Sequence, residues 1–135
     1  MRLEWLIEIL IPGAADTLFD HGAFDSKTRR VFVAHTGKNC LEVIDHTAHH
    51  HLTTLSGFPE AAGVVADDGQ VLVTNRAAAE LAWVDGDRLE TRRVYSTAPR
   101  PNGVAIVPHS RLAIVACNVF SPQHGGVLVL RETRS

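Results

Sequence analysis

Short runs of valine, leucine and isoleucine alternate with polar turns along the chain at an even spacing. Val31-Phe32-Val33-Ala34-His35, Val71-Leu72-Val73-Thr74-Asn75 and Leu112-Ala113-Ile114-Val115-Ala116-Cys117-Asn118 are each followed by a second run. These are Leu41-Glu42-Val43-Ile44-Asp45, Leu81-Ala82-Trp83-Val84-Asp85 and Val127-Leu128-Val129-Leu130-Arg131. β-Branched residues dominate and turn residues interrupt them often, a pattern that predicts strands rather than helices. Their interiors are continuously apolar, which is how a strand reads when both of its faces are covered. The N-terminus is ambiguous: Leu3, Leu6, Ile7 and Leu10 suit one face of a helix, whereas Leu6 to Ile11 also reads as a strand ending at Pro12-Gly13.

The runs repeat. Gly22, Gly63 and Gly103 each open a unit, at separations of 41 and 40 residues, and Leu41 to Leu81 and Asp45 to Asp85 are both steps of 40. A fourth, weaker strand closes the first two units, around His51-Leu52-Thr53-Thr54-Leu55 and Arg92-Arg93-Val94-Tyr95. Four short strands per roughly 40 residues predicts the blade of a β-propeller. The expected fold is all-β, a single unit over 1–135 with three four-stranded blades at about residues 20–61, 62–101 and 102–131.

The third unit ends after its third strand, and a segment at about residues 5–12 stands where the fourth strand of a preceding blade would stand. Propellers close with about four to eight blades, so three make an arc that exposes blade faces and a sheet edge. Two copies under two-fold symmetry would make a six-bladed ring, each N-terminal strand completing the partner's last blade. A homodimer with swapped closing strands is therefore expected. A piece of a longer propeller would present the same pattern, and that alternative stays open.

The strand tips Phe32-Val33-Ala34-His35 and Leu72-Val73-Thr74-Asn75, with Leu41-Glu42-Val43-Ile44-Asp45 and Leu81-Ala82-Trp83-Val84-Asp85 after them, resemble the YVTN-type β-propeller repeat. That family includes surface-layer-like and cytochrome-domain-like propellers. The third unit departs from its pattern, with an extra residue at Cys117-Asn118 and Arg131 in place of the aspartate. The resemblance covers about residues 20–131 and implies a fold more than a function, because propellers carry unrelated activities.

Composition adds mainly exclusions. A net charge of −2 leaves no basic field for nucleic acid or an anionic membrane surface. Cys40 and Cys117 make no disulfide framework and no metal-type CxxC. The N-terminal segment carries Glu4 and Glu8, is too short to span a bilayer and is a poor signal peptide. A cytoplasmic place is expected for the chain by itself, and a periplasmic or extracellular one if it belongs to a longer protein.

Candidate chemistry lies where the inner strands begin, at the mouth of the central channel. Asp20-His21, Glu60-Ala61-Ala62 and Arg100-Pro101-Asn102 stand there in the three units. The turns after the second strands, from His35, Asn75 and Asn118, share that face, and the third, Asn118 to Gly126, is the longest and includes Phe120 and His124. A binding or interaction module acting through this mouth is the expected function, with a small-molecule ligand or partner met by His21, His35, Glu60, Asn75, Asn102, Asn118 and His124. Pro101-Asn102-Gly103 is also similar to a segment of gluconolactonase-like six-bladed propellers whose asparagine binds a divalent cation. That similarity implies Asn102, with His21 and Glu60 as companions, as ligands of a metal such as calcium or zinc, and hence a lactonase-like hydrolase as the alternative. Without a metal, Asn102-Gly103 would simply form the turn entering a strand. His49-His50-His51 reads as a solvated turn at the opposite face, and His35 as a hydrogen-bonding residue at a blade corner. Asp45 and Asp85 read as turn formers.

Overall fold

A computed structural model of the chain describes residues 1–121 and 124–133, without the side chains of residues 119–121 and 124. The described residues contain eleven strands and two single 3-10 turns. In the first unit β1 (Gly22–Asp25), β2 (Arg30–His35), β3 (Cys40–Asp45) and β4 (His50–Ser56) form an antiparallel sheet in that order. The second repeats this with β5 (Ala61–Asp67), β6 (Gln70–Asn75), β7 (Glu80–Asp85) and β8 (Glu90–Ser96). The third is three-stranded, β9 (Pro101–Val107), β10 (Leu112–Ser121) and β11 (His124–Arg131), with β11 at its edge.

Local chemistry explains the hairpins. Asp68 and Gly69 both adopt positive φ, 48° and 80°, in the two-residue turn joining β5 to β6, a hairpin geometry that glycine tolerates without strain. Asp45 and Asp85 accept backbone N–H bonds from the turns that follow them, Ala48 at 3.0 Å and Asp87 and Arg88 at 2.9 and 3.0 Å, which is the turn-forming role expected of them.

Cross-strand neighbours share a face, so the register sorts each sheet into two sides. Phe32, Ala34, Leu41 and Val43 lie on one side of the first sheet. They join Phe58, Ala61, Val64, Val71, Val73, Ala82 and Val84 of the second unit in one buried cluster. Leu81, on the opposite side of the second sheet, packs with Val115 and Cys117 of the third, flanked by Leu72, Val104, Leu128 and Leu130. Each fully buried aliphatic or aromatic side chain contributes about 1.5–3 kcal/mol. The sheets therefore stack face to face, with β1, β5 and β9 as successive inner neighbours.

Gly63 shows how closely two units approach. A Cβ there would lie 2.2 Å from the carbonyl oxygen of Asn102, so the inner strand of the third unit passes where any side chain would stand. Gly22 and Gly103, its counterparts in the repeat, have ordinary or open space around a built Cβ.

Residues 5–12 are unpaired within the single chain, and Leu3, Trp5, Leu6, Ile7 and Leu10 are exposed; the pairing expected for them is with a second copy. One expectation is revised. The long turn expected from Asn118 to Gly126 is instead a hairpin extension: β10 runs to Ser121 and β11 begins at His124, with Ser121 opposite His124 across a register shift.

Candidate functional site

The beginnings of the inner strands and the tips of the second strands gather at one end of the stacked sheets, as the repeat predicts. Backbone and hydroxyl bonds tie the units there. His21 N–H donates to Ala62 O at 3.2 Å, Thr36 Oγ1 to Ala61 O at 2.5 Å, and Thr74 Oγ1 to Asn102 O at 2.5 Å. At the other end Asp25 Oδ1 accepts Gly69 N–H at 2.9 Å, and Arg30 donates to the carbonyls of Gly86 and Asp87 at 2.7 and 2.8 Å. Burial pushes the Asp25 carboxyl up, but bonds from the Thr28 hydroxyl and the N–H groups of Gly69, Thr28 and Lys27 outweigh it and hold it below the usual range.

Several of the expected ligands are already engaged. His21 Nδ1 lies 2.6 Å from Asp20 Oδ1 on the surface, and Glu60 Oε1 accepts from Arg76 Nη2 at 3.0 Å and Nε at 3.2 Å. Asn118 is exposed, its N–H bonded to Arg100 O at 3.0 Å, and the His124 side chain lies outside the described residues. Asn102 differs from these. Its carboxamide Oδ1 is buried without a hydrogen-bond partner, and so is that of Asn75. No hydrogen bond or ion pair joins the side chains of His21, Glu60 and Asn102 among the described residues, and no three His, Cys, Asp or Glu side chains gather there as a metal set.

The densest polar chemistry is one the sequence reading passed over. Glu42, in the middle of β3, is 2% exposed and sits on the face of blade 1 turned away from blade 2. Its Oε2 accepts His35 Nδ1–H at 2.6 Å; its Oε1 accepts from His51 Nε2 at 2.9 Å and from the Thr54 hydroxyl. A β-bulge between Val43 and Ile44 skips Leu52, and this brings His51 to the same side as Thr54. His51 is thus a carboxylate partner inside β4 rather than part of a solvated turn, while His46 and His49 do lie in the turn before it. Burial pushes the Glu42 carboxyl up, but the bonds from Thr54, His35 and His51 more than offset it and hold it below the usual glutamate range.

On its far side the His35 ring meets the segment that enters β1. Nε2 lies 2.6 Å from Thr17 Oγ1, Phe19 stacks on the ring with centroids 4.1 Å apart, and Leu18 O accepts Gly37 N–H at 3.0 Å. Thr17 Oγ1 also donates to Ala14 O at 3.2 Å, and the His35 ring stands between it and the Glu42 carboxylate. This hydroxyl–imidazole–carboxylate order is that of a nucleophile relay, but the imidazole is 1% exposed and roofed by Phe19, so its chemistry is that of an anchor. The lone acid inside an apolar β3, beside a strand tip carrying histidine, was the signal available in the sequence.

Against family models and against curated proteins the sequence finds no match. Among solved structures it is similar to hydrazine synthase of Kuenenia stuttgartiensis, with a TM-score of 0.70 and 16% identity over 82% of this chain and 33% of that one. It is also similar to a luciferin-regenerating enzyme, with a TM-score of 0.67 and 12% identity over 85% of this chain and 45% of that one. Both neighbours are β-propeller folds. The chain is three blades of a β-propeller. It spans a third and under half of the two neighbours' lengths, and at these identities the likeness concerns the fold alone. No helix among the described residues is long and apolar enough to cross a membrane.

Proposed function

We propose that these blades form a YVTN-type, non-catalytic binding module that takes a polar small molecule at the channel mouth, with Asn102 as its central acceptor. The observation that carries this reading is the buried, unpartnered Oδ1 of Asn102 at the start of the inner strand β9. A buried acceptor without a donor costs about 1–3 kcal/mol, so such an atom is kept where something else supplies the donor. The charged neighbours suit recognition rather than turnover. Glu60 with Arg76 and His21 with Asp20 form surface pairs that a ligand could meet at the rim. The same oxygen is also what supports the second reading, a divalent cation on Asn102 serving lactonase-like hydrolysis; the cation would compete with Arg76 for Glu60 and with Asp20 for His21.

The side-chain amide resonances of Asn102 and Asn75 report both readings directly. Titration of labelled protein with a polar fragment set, and separately with calcium and zinc chloride, is expected to move the Asn102 resonance with a fragment and not with either metal. Asn102→Ala is expected to remove that binding without lowering thermal stability. Movement with calcium or zinc at one equivalent favours the hydrolase, and resonances that stay fixed throughout contradict both readings.

A further inference from the structure

The stacking that buries blade 1 against blade 2 leaves two faces of the arc without a partner, and they are of complementary kinds. Blade 2 turns Val64, Val71, Val73, Ala82 and Val84 toward blade 1. The matching side of blade 1, carrying Phe24, Val31, Val33 and Ile44, meets no blade, and Phe24 is 45% exposed. At the other end of the arc, blade 3 turns Val115, Leu128 and Leu130 to blade 2 and leaves Ala105, Ile114, Val127 and Val129 outward, the two valines 59% and 58% exposed. These outward positions correspond to the side of blade 1 that packs on blade 2. The two sides that pack together inside the chain thus recur at its two ends, with Glu42 and His35 on blade 1 where blade 2 has Ala82 and Asn75.

We propose that a second copy of this chain covers both faces, blade 3 of each copy stacking on blade 1 of the other to close a six-bladed ring. Area supports a partner of this size. The chain exposes 8571 Å², whereas a compact chain of 14.7 kDa exposes roughly 6,900 Å². The surplus, about 1,600 Å² per copy, is on the scale of an obligate dimer interface. The strand edges agree with the faces. Among the described residues β11 has a free outer edge, and the apolar segment Leu6 to Ile11 has no pairing partner. The bonds of Thr17, Leu18 and Phe19 to β2 and its turn fix where that segment leaves blade 1, on the side where the partner's blade 3 would stand. Each Leu6–Ile11 segment then pairs with the partner's β11 and gives every blade four strands. Ring closure also brings two copies of Asn102 around one channel, but the dimer does not depend on what binds there.

Light scattering on the 135-residue chain tests this, with Phe24→Asp and Val129→Asp as face variants. Both side chains are already exposed in the single chain, so neither substitution strikes its core, and unfolding curves check that it is intact. The intact chain is expected to run as one species of twice 14.7 kDa. Each variant is expected to weaken association roughly a hundredfold or more, because it buries an unpaired carboxylate in the seam. Mixing the two variants is expected to restore a dimer, since one of its two seams then joins an unaltered blade 3 to an unaltered blade 1. A monomeric intact chain, a polydisperse one, or a dimer indifferent to Phe24→Asp overturns the proposal; the last outcome would mean that blade 3 pairs with itself.

Discussion

Blades 1 and 2 use one set of backbone positions in opposite ways. In blade 2 these are Phe58, Asn75 and Ala82, at the crossing segment, the second-strand tip and the third strand; Phe58 and Ala82 pack against blade 1, and Asn75 is buried with its Oδ1 unpartnered. The same positions in blade 1 are Thr17, His35 and Glu42, and the site is closed by a chain of hydrogen bonds. The third blade offers Ala98, Cys117 and Leu128, which pack together, with the thiol pushed up by burial. Apolar side chains suffice where a neighbouring blade of the same chain supplies the other half of the interface. Where none does, a buried carboxylate saturated with donors holds the crossing segment down, at the cost that every donor depends on it.

The largest expected effect follows from that dependence. Glu42→Ala strands His35, His51 and Thr54 at once and is expected to cost about 3–5 kcal/mol in urea unfolding. Its mirror image, Ala82→Glu, places a carboxylate among valines with no imidazole beside it and is expected to cost several kcal/mol as well, roughly 2–5. Equal and small effects for the two would erase the contrast between the blades. Next comes the inner-strand approach: Gly63→Ala should cost about 3 kcal/mol, the upper end for overpacking, whereas Gly103→Ala should stay within about 0.5 kcal/mol. Asp25→Ala, which frees Gly69 N–H and both Thr28 donors, should cost about 1–3 kcal/mol, against about 0.5 or less for the exposed Asp67→Ala.

The smallest effect is one of pH. The folded Glu42 and Asp25 carboxyls are depressed, so their contribution is fully present above the unfolded values, 4.5 and 3.8, and is lost as pH falls through the lower folded values. Stability of the intact chain should therefore fall below about pH 4.5, and Glu42→Gln should flatten the upper part of that decline. A Glu42→Gln curve parallel to that of the intact chain would remove the carboxylate from the anchor.

The strands were legible because both faces of a blade are covered, so valine and leucine run on without alternation and the 40-residue step from Leu41 to Leu81 falls on equivalent positions of β3 and β7. The turns were legible through Asp45, Asp85 and Asp68-Gly69, whose roles are local. What stayed hidden depends on contacts distant in sequence or on a slip of register. Glu42 reads as a lone acid until His35, His51 and Thr54 are brought to it, and His51 reaches it only through the bulge at Leu52. Gly63 looks like one of three equivalent glycines, yet only there does the carbonyl of the next inner strand approach. Asn102 and Asn75 are placed at one end of the sheets by the repeat, but their lack of a partner is a property of the packed structure.

The polar anchor of blade 1 is tested most directly by a carbon-13 titration of the Glu42 carboxyl. A midpoint below that of an exposed glutamate, lost together with the Thr17 and Phe19 contacts when His35 is replaced by alanine, is the predicted result. A midpoint at or above the ordinary value, or one that does not respond to His35→Ala, would contradict it.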